Sequence, residues 1–314
     1  MELLGMTDRP PLGADWFDQV TLLPCLSDRS SRTGFSFGAF GRNGVSIPAF
    51  AHPWCEVRQP DCLAPRKLGR FIYGGLLMDH FGHFLLEAMA RLWFIRAHPE
   101  LPVLWHEIAL PVPHSPWTGW RREVWHLLGL DQHLNYIIGQ PRRFNRVVVP
   151  HPGLTLAHGL HPEQASALAV VPAVPPTSER VWLSRTALPA QFGRLLGEDV
   201  LERQLADRGW IIVRPEAMRV VEQANVFARA SAVAGFASSA FHAVLLCALP
   251  RARLRILRRP SVSPENYDLI AQARGLDQVH IDVALRPFGK INAWTTFELE
   301  DPLAAADAVC RSLC

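Results

Sequence analysis

Runs of apolar and polar residues divide the chain into strand and helix segments from residue 71 onward. Residues 71–78 are almost all apolar, which predicts a buried strand. Residues 80–98 then carry apolar side chains at steps of three and four, which predicts one amphipathic helix. Further strands are predicted at 101–105 and 146–149, with a helix at 117–128 between them. This alternation indicates an α/β domain built on a parallel sheet.

A more regular alternation follows the proline-rich residues 170–179, which we interpret as a domain boundary because such a segment cannot sit inside a sheet. Strands and helices then alternate with short connections, which is typical of a doubly wound Rossmann-like domain. The predicted strands are 180–184, 210–213, 232–236 and 254–257, and the predicted helices are 197–208, 220–230 and 239–249. We therefore expect domains at 1–175 and 176–300. A terminal helix is expected within 301–314, and its packing on the first domain is left open.

Composition adds little to this pattern but excludes several classes of protein. The 314 residues are 49% hydrophobic and 19% charged, as in a folded protein, and the net charge of +3 gives no reason to expect nucleic acid as a partner. Residues 1–70 are rich in Pro, Gly and Ser and predict irregular structure with short strands. The six cysteines form no CxxC pair, and we see no signal peptide and no apolar run of about 20 residues. We expect a cytoplasmic location and leave peripheral attachment at the inner membrane open.

The densest group of candidate catalytic residues lies at the start of the first predicted helix. His83, Glu87 and Arg91 follow one another at steps of four and share one helix face, with His80 one turn earlier. A histidine oriented by a carboxylate can remove a proton from a hydroxyl near neutral pH. Two other readings stay open. In one, Glu87 and Arg91 form an ion pair within the helix while the histidines cap it. In the other, His80, His83 and Glu87 make a metal site. The spacing differs from that of the HExxH zinc motif.

A second group lies where a predicted strand passes into a helix, between Gly235 and His242. Small residues, including Ser238 and Ser239, leave backbone N–H groups at the helix start accessible to an anion such as a diphosphate. The alternative is an ordinary turn with a serine cap on the helix.

A third group consists of polar residues at the ends of strands and the starts of helices in the second domain. Arg185 follows the first strand of that domain and is placed to bind a phosphate with its guanidinium. Glu198 and the pair Glu222 and Gln223 lie near helix starts, where acidic residues also serve as ordinary dipole partners. A plain surface arginine is the alternative for Arg185.

Taken together and in order, these segments resemble the family 61 glycosyltransferases, which include capsular polysaccharide biosynthesis proteins and relatives of eukaryotic O-GlcNAc and xylosyl transferases. The resemblance covers residues 71–257 and is carried by four segments. They are His80-Phe81-Gly82-His83-Phe84 with Glu87 and Arg91, Trp182-Leu183-Ser184-Arg185, Glu222-Gln223, and Gly235 to His242. Gly197 stands before Glu198 where the family has asparagine, Phe236 and Ser238 replace a common histidine and glycine, and His80 stands where asparagine is common.

The resemblance implies a GT-B-like fold in which two Rossmann-like domains with parallel sheets face each other across a cleft. It further implies inverting transfer without a metal or other cofactor, from a nucleotide-sugar donor to a glycan or glycolipid acceptor in bacterial surface polysaccharide synthesis. The first domain would bind the acceptor, with His83 as base supported by Glu87 and His80. The second would bind the donor, through the residues Arg185, Ser238, Ser239, His242, Gly235, Glu222 and Gln223, with Arg91 assisting from the first domain.

Two other functions remain compatible with the residues alone. A metal-dependent hydrolase would use His80, His83 and Glu87 as ligands. A non-catalytic sugar-nucleotide-binding protein would keep the fold without the chemistry, and the substitutions at Phe236 and Ser238 keep that reading open. The oligomeric state is not indicated by the sequence.

Overall fold

The computed structural model describes residues 11–27, 31, 34–60, 64–108, 119–189, 195–260, 262–291 and 294–313. It divides into two compact units, Met1–Leu168 and Ala169–Cys314. The division lies before the boundary at 175/176 because the proline-rich segment is hydrogen-bonded to the second unit. The Val171 N–H donates to the Leu246 carbonyl at 2.7 Å, and the Thr177 N–H donates to the Arg229 carbonyl at 2.7 Å.

The first unit is built on a seven-stranded mixed sheet. Its strands are β1 (Ala14–Ser27), β2 (Phe35–Phe40), β3 (Glu56–Val57), β4 (Arg66–Leu77), β5 (Val103–Glu107), β6 (Asn135–Ile137) and β7 (Arg142–Pro150), followed by the hairpin β8 (Leu154–Thr155) and β9 (Gly159–Leu160). The order is β3-β2-β1-β7-β4-β5-β6. Strands β7, β4, β5 and β6 are mutually parallel, and β1 runs antiparallel to both β7 and β2.

The first strand is a correction to the sequence prediction, which expected only short strands before residue 71. Strand β1 has 14 residues and pairs on both sides, with Ala14 opposite Pro150 and Thr21 opposite Phe40. These partners lie up to 136 positions away along the chain, so the local pattern of residues 1–70 contained little information about them. The sheet is therefore mixed, whereas the sequence predicted a parallel one.

The helices of the first unit include a break that the sequence pattern did not reveal. They are α1 (Phe81–His83), a π-helical turn (Phe84–Ala88), α2 (Leu92–Ala97), α3 (Gly119–Leu127) and α4 (Pro162–Leu168), with 3₁₀ turns at Pro48–Phe50 and Leu130–Gln132. The single helix predicted at 80–98 is wrong. At the break, the buried Gln164 side chain donates to the Met89 carbonyl at 2.7 Å and accepts the Trp93 N–H at 3.1 Å. It thereby satisfies backbone groups that the interrupted helix leaves free.

Strand β4 carries the first candidate site at its carboxyl end and needs a glycine to reach it. A Cβ at Gly74 would lie 2.6 Å from the Trp105 ring. No side chain fits at this contact, so the glycine lets β4 pass close to the large buried ring of the neighbouring strand β5. Trp105 is itself fully buried in the core.

The second unit is a doubly wound α/β domain. Its strands are β10 (Arg180–Leu183), β11 (Leu195–Leu196), β12 (Trp210–Val213), β13 (Ala232–Phe236), β14 (Arg253–Leu257), β15 (Gln278–Ile281), β16 (Leu285–Ile291) and β17 (Trp294–Leu299). Its helices are α5 (Glu198–Asp207), α6 (Val220–Arg229), α7 (Glu265–Arg274) and α8 (Pro302–Arg311), with 3₁₀ helices at Pro215–Ala217 and Ser239–Leu246. The α/β class is confirmed in both units. The GT-B arrangement of two domains across a cleft stays a prediction.

The five-stranded sheet of the second unit is fully parallel, in the order β12-β10-β13-β14-β15. The strand order reverses between β10 and β13. From β10 the chain first adds β12 on one side of the sheet and then adds β13, β14 and β15 on the other. Open sheets of this kind bind ligands beyond the carboxyl ends of the strands at that reversal. Residues that follow β10, β13 and β14 are therefore candidates for ligand contact.

Two details of the second unit correct or extend the prediction. The segment predicted as a helix at 239–249 is a 3₁₀ helix that ends at Leu246. The terminal helix α8 buries Ala305, Ala306 and Val309 in the core of the second unit, together with Leu201 and Leu205 of α5. These apolar residues of α8 thus pack within that unit.

Candidate functional site

The first candidate site follows strand β4, whose carboxyl end lies beside the reversal of strand order in the parallel part of the first sheet. Strand β4 pairs with β5 on one side and with β7 on the other, and all three are parallel. The segment from His80 to Glu87 begins three residues after β4 ends. Both histidines and the carboxylate of the predicted group therefore lie at the ligand-binding edge of this sheet.

The structure brings His83 and Glu87 into contact, as the spacing of four predicted. A short hydrogen bond joins His83 Nδ1 and Glu87 Oε2. Since a carboxylate accepts, Nδ1 carries the proton and Nε2 keeps its lone pair. The Glu87 side chain is 10% exposed and that of His83 is 31% exposed, so the carboxylate is held inside while the imidazole reaches the surface. This is the arrangement of a base and its orienting acid.

Two residues that the sequence analysis missed complete the surroundings of Glu87. The Trp54 indole N–H donates to Glu87 Oε1 at 3.1 Å, and its ring meets the His83 ring edge-on at 5.4 Å between centroids. His52 Nε2 lies 3.9 Å from the same oxygen. Burial lowers the pKa of His52 to about 4. Both residues come from the region before β4. The sequence pattern there shows polar and aromatic residues between short apolar runs, but nothing in that pattern points to a contact with Glu87.

His80 is placed as a cap rather than as a second base. Its Nδ1 accepts the backbone N–H of His83 at 3.4 Å, which caps α1, and the two rings lie 4.8 Å apart. Burial is the main cause that lowers the pKa of His80 to about 4. An imidazole with that pKa is a weak base, so the geometry favours His83 for proton transfer.

Arg91 does not follow Glu87 by a regular helical step, because the helix is interrupted between the two residues. Its Nε donates to the Pro150 carbonyl at 2.9 Å, and its guanidinium lies 5.5 Å from the centre of the Tyr73 ring. The π-helical turn and the break after it change the direction of the side chains that follow, so the step of four from Glu87 no longer holds. Burial lowers the pKa of Arg91.

Beneath this site lies a buried chain of hydrogen bonds. The Tyr73 hydroxyl is 2.9 Å from His106 Nδ1, and His106 Nε2 is 2.8 Å from the Leu23 carbonyl. Because a carbonyl only accepts, Nε2 carries the proton and the tyrosine hydroxyl donates to Nδ1. Burial is the main cause that lowers the pKa of His106 to about 4. The chain links β1, β4 and β5, and Tyr73 also supports Arg91.

In the described part of the chain, no group of three or more His, Cys, Asp or Glu residues is arranged to hold a metal ion. The hydrolase reading, which needs His80, His83 and Glu87 as joint ligands, therefore has no ligand cluster among those residues.

The second candidate site begins at Arg185, directly after strand β10. The Arg185 backbone N–H donates to Glu198 Oε1 at 3.0 Å, which ties the end of β10 to the start of α5. Glu198 is 1% exposed, and burial raises the pKa of its carboxyl to about 8. Burial also lowers the pKa of Arg185. Glu198 is thus largely protonated at neutral pH, and Arg185 keeps a positive charge that this acid does not neutralise.

The turn after β13 leads into the 3₁₀ helix without a side-chain cap. Ser238 occupies the N-cap position in an extended conformation, with φ −158° and ψ 162°, and its hydroxyl accepts no hydrogen bond from the helix start. The serine-cap alternative is therefore wrong. A Cβ at Gly235 would lie 3.1 Å from the Leu183 carbonyl and 3.4 Å from the Phe241 ring, so this glycine permits close packing of the turn.

The remaining predicted residues of the second domain have mainly structural contacts. The buried His242 ring stacks on Tyr267, with 5.2 Å between centroids and an angle of 28°. Glu222 Oε2 accepts the Arg219 backbone N–H at 2.9 Å, and Gln223 Nε2 donates to the Pro215 carbonyl at 2.8 Å. Glu222 and Gln223 thus bond their own segment around the start of α6.

A model of the glycosyltransferase 61 family matches residues 81–252, more than half of the chain. The chain belongs to the glycosyltransferase 61 family. The matched segment of this glycosyltransferase contains His83, Glu87, Arg185 and the turn at Ser238. A search of the curated proteins finds no match. No helix in the part of this family member that the structure describes has the length and apolar character that a membrane span requires.

Proposed function

We propose that this family 61 glycosyltransferase transfers a sugar from a nucleotide-sugar donor to a hydroxyl group of a glycan or glycolipid, with inversion at the anomeric carbon and without a metal ion. The observation that carries the proposal is the His83–Glu87 pair, a partly exposed imidazole whose Nδ1 is bonded to a buried carboxylate. Family membership supplies the class of reaction.

In the proposed reaction His83 Nε2 removes the proton of the acceptor hydroxyl. The hydroxyl oxygen forms a bond to the anomeric carbon of the donor, while the bond from that carbon to the phosphate oxygen breaks and its electron pair leaves with the nucleoside diphosphate. Glu87 stabilises the imidazolium that forms, as an orienting carboxylate does in a catalytic triad. The Trp54 indole N–H, which donates to Oε1, holds Glu87 in place.

The leaving diphosphate gains negative charge as the bond breaks, and we assign its stabilisation to the second domain. Arg185 and the uncapped helix start at Ser238 and Ser239 are fixed by the sheet before the ligand arrives. Preorganised cations and backbone N–H groups in a poorly hydrated site act strongly on such a charge. The proposal further requires both groups to act on one donor molecule, as the GT-B resemblance implies.

The biological setting proposed from the family resemblance is the synthesis of bacterial capsular or other surface polysaccharide. A cytoplasmic location, with peripheral attachment at the inner membrane, would give such an enzyme access to both nucleotide sugars and a glycolipid acceptor. The choice between a hexose and a pentose as donor sugar is not part of the proposal.

The first test is a thermal-shift screen of the whole chain against UDP-, GDP- and TDP-sugars, with CMP-sugars, which have a single phosphate, as a comparison. A ligand at about 100 times its Kd stabilises the native state by about 2.7 kcal/mol, which such a screen detects. We expect one nucleotide class to raise Tm, and transfer with that donor to survive EDTA. Absence of stabilisation by every class contradicts the proposal. Loss of activity in EDTA that Mg²⁺ or Zn²⁺ restores contradicts its metal-independent part. An NMR assignment of the product anomer tests inversion.

A further inference from the structure

The carboxyl ends of three adjacent strands in the second unit carry an arrangement that the sequence analysis did not anticipate. Strand β13 lies between β10 and β14. Arg185 follows β10 by two residues, the turn with Ser238 follows β13, and Arg259 follows β14 by two residues. The uncapped helix start therefore has an arginine after the neighbouring strand on each side. Of the two arginines, only Arg185 lies in the segment matched by the family model, which ends at residue 252.

Arg259 reaches the turn with its side chain. It is 6% exposed, and its Nη1 donates to the Ala237 carbonyl at 3.2 Å, one residue before Ser238. Among the described residues, its Nε has no hydrogen-bond partner, and no carboxylate forms a salt bridge with it. A buried guanidinium usually has an anionic partner, because an uncompensated buried charge costs free energy. Arg259 lacks one, and its guanidinium lies beside backbone N–H groups that also favour an anion.

The charged groups around Arg259 suit the binding of an anion better than they suit the ligand-free protein. Arg185 acts on Arg259 as a second positive charge, and together with burial, which is the larger cause, it lowers the pKa of Arg259 to about 10. One acid that acts on both arginines is Glu198, which burial keeps largely protonated at neutral pH. Tyr267 lies close to both arginines, and burial raises the pKa of its phenol to about 12, so it is neutral. Neither of these two neighbours supplies Arg259 with a negative charge.

We propose that Arg259 is a second cation for the diphosphate of the nucleotide donor, which it binds together with Arg185 from opposite sides of the turn at Ser238. The proposal rests on the proposed function for the identity of the ligand. A diphosphate carries more than one negative charge on oxygens a few ångströms apart, so one phosphate can accept from Arg259 while the other accepts from Arg185.

The test is isothermal titration of the full chain with UDP, GDP, TDP and CDP, followed by the Arg259→Gln variant with whichever diphosphate the wild type binds. We expect Kd to rise at least tenfold in the variant, and to rise less for the matching nucleoside monophosphate. The control is Arg258→Gln, which removes the neighbouring arginine. Arg258 is half-exposed, and its Nε lies 3.6 Å from Asp282 Oδ1. Because its charge is paired with that carboxylate, its loss should leave Kd unchanged.

A structural role for Arg259 gives a different result. If it only holds the Ala237 carbonyl, Arg259→Gln lowers Tm of the empty protein and leaves Kd within twofold of the wild type, which overturns the proposal. If the glutamine variant does not fold, Arg259→Met replaces it, because methionine removes the charge but packs readily in a buried position. A Kd within twofold of the wild type's in that variant is equally decisive against the proposal. A wild type that binds none of the four diphosphates refutes the proposed function itself, so the two failures are distinguishable.

Discussion

The two candidate sites use opposite electrostatic arrangements. In the first unit a partly exposed imidazole is bonded to a carboxylate, so the acid and the base are paired and the base can exchange a proton with its surroundings. In the second unit two arginines lie close together in a buried region, and the neighbouring acid Glu198 is largely protonated. Proton transfer needs an accessible lone pair near neutral pH, whereas holding a leaving diphosphate needs uncompensated positive charge.

The difference also concerns stability. A bonded histidine and carboxylate add little cost to the native state, but buried like charges are unfavourable until a ligand arrives. If the proposed function holds, the second unit gains free energy from anion binding that the first does not. Experiments that separate catalysis from binding, and ligand binding from folding, test this difference.

The largest effect is expected from His83→Ala. Removal of a general base lowers kcat by about 10² to 10⁴, while the affinity for the nucleoside diphosphate should stay within twofold because the diphosphate residues lie elsewhere in the chain. Steady-state kinetics and titration calorimetry measure the two quantities. The matched control is His126→Ala, which disrupts an exposed histidine–carboxylate pair with Asp131 at 2.8 Å. Equal activity of His83→Ala and wild type removes the assignment of the base.

Arg185→Gln should show the reverse pattern in binding. A hydrogen bond between charged groups contributes about 1.5 to 3 kcal/mol, so we expect Kd for the nucleoside diphosphate to rise by about 10- to 100-fold. Calorimetric titration provides the measurement. As a control, Arg203→Gln removes an exposed arginine that is paired with Asp199 at 3.0 Å. If Arg185→Gln lowers kcat alone and leaves Kd as it was, the division of labour between the two sites is incorrect.

Glu198→Gln tests the protonation of the buried acid. The folded carboxyl has a pKa raised to about 8 from an ordinary 4.5, so the native state binds the extra proton and stability falls as pH rises through that window. Glutamine resembles the protonated acid and has no such dependence. The variant should gain stability relative to wild type between about pH 5 and about pH 7, on the order of 2 kcal/mol. Thermal unfolding at both pH values measures this, with the exposed Asp199→Asn as control. A stability difference between the variant and wild type that is the same at both pH values contradicts the prediction.

His106→Gln gives the smallest expected effect and applies to the first unit. The pKa of His106 is lowered to about 4 from 6.5, so the unfolded chain binds the proton more readily and stability falls as pH decreases through this window. Removal of the imidazole should flatten the acid side of the stability curve by about 1 kcal/mol between about pH 6.5 and about pH 5.5. Urea unfolding at the two pH values measures the slope. The exposed His126→Gln should retain the wild-type slope; an unchanged slope in His106→Gln argues against the buried network.

Sequence reasoning was most successful where local pattern is sufficient. Strands β12 and β13 were predicted to the residue, because short apolar runs bounded by polar turns identify buried parallel strands. The contact of His83 with Glu87 followed from the step of four alone. The family was identifiable because its polar residues occur in a fixed order at strand ends.

Other features depended on partners that are distant in the chain. The 14-residue strand β1 exists because β7 and β2 pair with it, and the break before α2 is supported by Gln164, more than 70 residues away. Trp54 reaches Glu87 over 33 positions. None of these contacts has a periodic signal, since each depends on how the sheet is ordered rather than on neighbouring residues.

Hydrophobic periodicity and turn chemistry are local properties, so the amino-acid pattern was enough to indicate the class of the fold, the position of most parallel strands and the residues that follow them. Which of those residues are buried, which acid keeps its proton and which arginine lies beside Ser238 became known from the folded structure. Burial and neighbouring charge set these properties, and both arise from segments that meet only when the sheet has formed.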